Sequence, residues 1–261
     1  MPIKIPIRLR RLSQSEFGEI SYSVMKVVFD MHNELGRFFD ERIYKLELAC
    51  RIPDVRLEVP IEVSHRSFHK TYYMDAMARA GALFEFKAAE ALMARHRAQL
   101  LHYLLLAELG HGKLINVRPE SVEHEFVNTT LTYAERTQFS VEASLWNNRI
   151  PGSNHFQEIL TSLLRDWGTA LELPLYEEAL THFLGGEPAV LKDVEVKVET
   201  RTVGFQRMQL AAPRVAFTLT SLDGKTSNYR EHLHRLLSHT ELDAIIWADL
   251  GPKHVTFATI H

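Results

Sequence analysis

The chain has 261 residues, 46% of them apolar, and a formal net charge of −3. That is enough apolar mass for one large domain or two smaller ones with real cores, without the basic excess that marks many nucleic-acid binders. No apolar run approaches the ~20 residues of a membrane span, and the single cysteine, Cys50, excludes a disulfide framework, a cysteine zinc site and a four-cysteine iron–sulfur cluster.

The N-terminal "MPIKIPIRLRRL" is basic and alternating, with no secretory pattern, so a cytoplasmic protein is expected. From Ser13 to Leu35 the apolar residues Val24, Val27, Val28 and Met31 fall on one helical stripe, with a serine available as cap. A second helix is expected after Gly36, through "RFFDERIYKLELA". "VRLEVPIEV" and "FHKTYYMDAMA" read as strands, Arg79-Ala80-Gly81 as a tight turn, and "ALFEFK" as a third strand. An amphipathic helix, "RHRAQLLHYLLLAEL", and two short strands, "GKLINV" and "VEHEFV", complete the first half. The order predicts an α/β mixed sheet flanked by helices.

Residues 140–155, "SVEASLWNNRIPGSN" and its neighbour, read as a linker between domains at 1–140 and 155–261. The second half then repeats the first. "WGTALELPLY" lies on "LGRFFDERIY", and a constant shift of 133 superposes Phe84 on Phe217, Arg97 on Arg230, Glu108 on Glu241 and Pro119 on Pro252. This predicts a tandem duplication. The polar positions do not repeat: Glu41 falls on Leu173, Glu85 on Thr218, Lys87 on Thr220 and Gln99 on His232. No aspartate between Val194 and Leu222 answers Asp75, so the second copy is expected to be degenerate.

Strand side chains alternate, so Glu85 and Lys87 share one face of "LFEFK". If Ala78 pairs with Ala82 across the turn, Asp75 lies opposite Glu85. Facing carboxylates repel unless a cation lies between them, and hard oxygen ligands suit Mg²⁺ or Mn²⁺. With Lys87 alongside, such a set fits phosphodiester hydrolysis. The same Asp-x9-Glu-x-Lys spacing also occurs on exposed hairpins with ordinary surface charges; the apolar neighbours here point to burial, where unpaired charge is costly.

"HNELGRFFDERIY", "YYMDAMARAGALFEFKAAEAL", "RHRAQLLHYL" and "GKLIN" together resemble the GxxExxY proteins, a branch of the PD-(D/E)XK nuclease-like superfamily related to RecB-type nucleases. The resemblance covers about residues 14–128. It implies a restriction-endonuclease-like core and a metal-dependent nuclease acting on DNA or RNA. Asp75, Glu85 and Glu41 would hold Mg²⁺ or Mn²⁺, Lys87 and Gln99 would complete the catalytic set, and Tyr44 and Tyr103 would support it. Two positions depart from the pattern: Phe38 replaces the motif glycine, and Met74 stands before Asp75 where the family carries proline. A non-catalytic nucleic-acid-binding or protein-interaction module on the same core is the alternative. The fourteen histidines show no zinc spacing, although His32 and His96 fall near the expected cleft, and Cys50 is expected to be a small buried hydrophobe.

Overall fold

Helix α1 (Gln14–Leu35) starts where the sequence supplies a cap. The Ser13 hydroxyl accepts the Glu16 amide while the Glu16 carboxylate accepts the Ser13 amide. Phe17, Ile20, Val24, Val28 and Met31 follow at helical spacing and are all buried. The helix stops at Gly36, whose φ of 72° suits glycine. In the computed structural model, which describes residues 2–222, 224 and 226–261, helix α2 (Glu41–Arg51) begins at Glu41. Residues 37–40, expected within that helix, form the connection to it. Cys50 corrects its expectation: it lies on α2 and is exposed.

The chain divides into two units, Met1–Tyr133 and Ala134–His261. In the first, β1 (Ile3–Lys4), β2 (Val55–His65), β3 (Phe68–Ala78), β4 (Ala82–Lys87), β5 (His111–Asn116) and β6 (Glu123–Asn128) form a six-stranded sheet in that spatial order. Neighbours run antiparallel except β4 and β5, which are parallel and joined through helix α3 (Ala94–Ala107). Helices α1 and α2 bury Val24, Val28, Tyr44 and Leu48 in one cluster with Ala76, Ala78, Phe84 and Phe86. The other face of β4 and β5 meets α3 closely: a Cβ added to Gly112 would stand 3.0 Å from Leu100 Cδ1. The turn after β3 has Arg79 and Ala80 at φ 48° and 52° and needs Gly81, whose added Cβ would lie 2.2 Å from the Arg10 carbonyl oxygen.

A short helix α4 (Tyr133–Thr137) carries the chain across the division, and β7 (Ser140–Leu145) follows it. This strand pairs in parallel with β12 (His254–Ile260), so part of the segment expected as a linker is a sheet edge. Its six residues are all exposed, so the alternation of Val141, Ala143 and Leu145 with Ser140, Glu142 and Ser144 faces no core, and the pairing with β12 is what marks the strand. The remaining elements of the second unit are α5 (Ser153–Trp167), α6 (Leu173–Phe183), α7 (Glu187–Val190), β8 (Leu191–Val198), β9 (Arg201–Ala212), β10 (Val215–Thr220), α8 (Thr226–Ser238) and β11 (Ala244–Leu250). Its sheet has the order β7-β12-β11-β10-β9-β8, with β10 and β11 parallel. Each unit is therefore a six-stranded mixed sheet flanked by helices. Among the described residues, no helix is long and apolar enough to cross a membrane.

Candidate functional site

Five of the six residues of β4 are fully buried, and only Lys87 at its end is partly open. On the face towards α3, Glu85 is 1% exposed and Lys87 Nζ lies 2.8 Å from its Oε1. Its second oxygen, Oε2, is buried without a hydrogen-bond partner. A carboxylate in that position is expensive to ionise. Burial first, and the Asp75 carboxylate second, push the Glu85 carboxyl up to about 8, against the opposing pull of Lys87.

The hairpin register places Asp75 next to this pair. Ala78 faces Ala82 and Ala76 faces Phe84, as the turn length requires, and the main-chain ladder ends there. One step further on, the Phe86 amide donates to Asp75 Oδ2 at 2.8 Å. Side-chain oxygen thus replaces carbonyl oxygen, tying Asp75 to β4 beside Glu85.

The remaining oxygen of Asp75 belongs to a residue that the sequence reading missed. Lys45, one helical turn beyond Glu41 on α2, places Nζ 2.6 Å from Asp75 Oδ1 and 2.5 Å from Glu58 Oε1. Burial works to lower the Lys45 pKa, but its hydrogen bonds to Asp75 and Glu58 outweigh that and raise it. Glu58 stands opposite Asp75 in the β2–β3 register, between the pairs Leu57–Ala76 and Val59–Met74, with a left-handed φ of 51° inside a strand. The i+4 spacing from Glu41 and the hairpin register were the available signals for Lys45 and Glu58.

Glu41 occupies the first position of α2, half-buried at its N-terminus. Burial raises its pKa, as does Asp75, while Lys87 and Lys45 lower it, so these charges form one electrostatic neighbourhood. Gln99 and Tyr103 face the same way on α3, with Gln99 Nε2 donating to Tyr103 Oη at 3.0 Å. The carboxylates of β3 and β4 take their hydrogen bonds from Lys45, the Phe86 amide and Lys87. His96, at the start of α3, has its pKa lowered by burial first and by Lys87 second. Tyr44 is fully buried, and its hydroxyl donates to the Gly36 carbonyl, so it fastens the α1–α2 corner. His32 lies nearby, with Nε2 3.2 Å from the Pro119 carbonyl oxygen.

The three acids expected to converge on one ion do not form a ready cage. Among the described residues, no cluster of three or more His, Cys, Asp or Glu side chains is arranged to hold a metal. The physical reason is neutralisation by lysine: Lys45 holds Asp75 and Lys87 holds Glu85. The residues still fit a hard divalent cation in one respect, because Glu85 Oε2 is a buried carboxyl oxygen with no hydrogen-bond partner.

A family model described as the PD-(D/E)XK nuclease superfamily matches residues 18–128, which include Glu41, Asp75, Glu85, Lys87 and Gln99. No curated protein matches the chain. The crystal structure of SSO0001 aligns at 19% identity and a TM-score of 0.29, covering 46% of this chain and 61% of that one.

Proposed function

We propose that the first unit is a divalent-cation-dependent nuclease that hydrolyses phosphodiester bonds of DNA or RNA at the Glu85–Lys87 pair. The observation that carries this reading is the buried Glu85, which has one oxygen on Lys87 and the other on nothing, at the strand position beside Asp75. The superfamily match over residues 18–128 supports the same chemistry. Bound by Glu85, Asp75 and Glu41, Mg²⁺ or Mn²⁺ would supply an activated water and offset phosphoryl charge. Lys87, at the open end of β4, positions an ammonium for the charge that develops on the phosphate. Gln99 and Tyr103 form a polar pair on α3, the helix that covers this face.

The test is hydrolysis of plasmid, single-stranded DNA and RNA by purified protein with Mg²⁺, Mn²⁺ or chelator. Cleavage should require cation and vanish in Lys87→Ala and Glu85→Ala. Activity surviving both substitutions overturns the proposal. A non-catalytic nucleic-acid-binding or protein-interaction module is the second reading, favoured by the lysine neutralisation of both β-sheet acids. Saturable Mn²⁺ binding that disappears in Glu85→Ala separates the two, since only the nuclease needs it.

We further propose that the second unit is a duplicated copy without the site. In support, the parallel pairs Leu83–Gly112 and Phe84–Lys113 recur 133 residues later as Ala216–Ile245 and Phe217–Ile246. The corner hydrogen bond also recurs, with Tyr176 Oη donating to the Gly168 carbonyl at 2.5 Å. Where the first unit has Lys87 and Asn116, the second has Thr220 and Asp249, bonded to each other at 2.6 Å. Thr220 also accepts from Trp247 Nε1 at 2.8 Å, which completes a closed network with no orphaned carboxylate.

A further inference from the structure

We infer that Lys45 is a displaceable ammonium that occupies the cation's place on Asp75, and that it sets how tightly the site takes Mg²⁺ or Mn²⁺. The inference rests on the nuclease reading above and adds a regulatory element that the matched motif residues do not contain.

The geometry assigns each oxygen. Asp75 Oδ2 is committed to the Phe86 amide, so Oδ1 is the oxygen it can offer, and that is the one Lys45 holds. Glu85 Oε1 is committed to Lys87, so Oε2 is the oxygen it can offer, and that one is buried and bare. Of these two remaining oxygens, that of Glu85 is open and that of Asp75 is plugged. The Lys45 side chain is 7% exposed and that of Asp75 is 10% exposed, so their ion pair is poorly screened and resists casual exchange. Glu58, whose side chain is 53% exposed, gives the ammonium a second partner nearer solvent. Lys45 can therefore leave Asp75 without becoming a bare buried charge. A strongly hydrated divalent ion and an ammonium compete for the same hard oxygen, and the ion binds only as far as its attraction exceeds the Lys45–Asp75 pair it breaks.

The experiment is Mn²⁺ titration of the full chain, followed by calorimetry and by electron paramagnetic resonance, on wild type, Lys45→Met and Lys45→Arg. Removing the competing charge in Lys45→Met should tighten Mn²⁺ roughly tenfold or more, while Lys45→Arg should bind no more tightly than wild type. Folding of each variant is checked by circular dichroism. A second measurement uses unaltered protein: labelling of Lys45 by an amine-reactive reagent, read by mass spectrometry, should accelerate when Mn²⁺ is added. Equal or weaker Mn²⁺ binding by Lys45→Met, or labelling of Lys45 that Mn²⁺ leaves unchanged, overturns this inference while leaving the nuclease reading in place. If neither wild type nor Lys45→Met binds Mn²⁺, both fall.

Discussion

Lys87 Nζ and Glu85 Oε1 lie 2.8 Å apart on one face of β4, with Phe86 turned to the opposite face between them. The ion pair is mostly buried, so removing either partner leaves the other uncompensated. Lys87→Ala should lower cation-dependent cleavage by about 10²–10³-fold or more, the range typical of losing one preorganised group that stabilises transition-state charge. Substrate binding to Lys87→Ala should be retained, as measured by fluorescence anisotropy with a labelled oligonucleotide. Loss of binding together with cleavage would mean a structural effect.

The raised Glu85 carboxyl makes the stability of the cation-free protein depend on pH. A carboxyl whose folded-state pKa is about 8, above the ordinary value of 4.5, favours the folded state while it is protonated. That contribution is present below about 4.5 and is lost as pH rises through about 8. In chelator, the thermal midpoint should therefore fall as pH rises from about 5 to about 8.5. Glu85→Gln should flatten this dependence, and saturating Mn²⁺ should oppose it by holding the carboxylate ionised. A wild-type profile identical to that of Glu85→Gln would show that Glu85 is not the titrating group.

Two glycines should respond in opposite directions to alanine. Gly81→Ala drives a Cβ to within 2.2 Å of the Arg10 carbonyl oxygen, a backbone atom with little freedom to yield. About 2–4 kcal/mol of destabilisation is expected in chemical denaturation. Gly18 lies inside α1, and an added Cβ meets nothing within 4 Å. Gly18→Ala should stabilise by about 0.5–1 kcal/mol through helix propensity alone.

The corner hydrogen bonds test the similarity of the two units. Tyr44 and Tyr176 are both fully buried and donate to the carbonyls of Gly36 and Gly168. Tyr44→Phe and Tyr176→Phe each delete a hydroxyl and strand a carbonyl, and each should cost about 1–3 kcal/mol in denaturant titration. Neither change touches Glu85 or Lys87, so cleavage at permissive temperature should persist in both.

Much of this molecule was legible in order and period. The serine cap and the stripe of Val24, Val27, Val28 and Met31 announced α1, and the two long strands of the β2–β3 hairpin were readable from their patterns. The three-residue turn fixed Ala78 against Ala82 and so brought Asp75 to the Glu85 end of β4. Strand alternation alone placed Glu85 and Lys87 on one face. β7 was missed although Val141, Ala143 and Leu145 alternate with polar residues, because the Asn, Pro and Gly residues that follow made the whole stretch read as a linker, and its pairing with β12 reveals it.

The sequence by itself determined the long helices and strands of the first unit and which of their side chains share a face, because those follow from local repeats of two or about 3.6 residues. Only the tertiary structure decided which charge answers which. Lys45 reaches Glu58 across 13 positions and Asp75 across 30, because helix α2 docks beside the β2–β3 hairpin. No local period encodes that contact. It is set by the burial of Tyr44 and Leu48 against the sheet, which brings the neighbouring ammonium within reach of the acids.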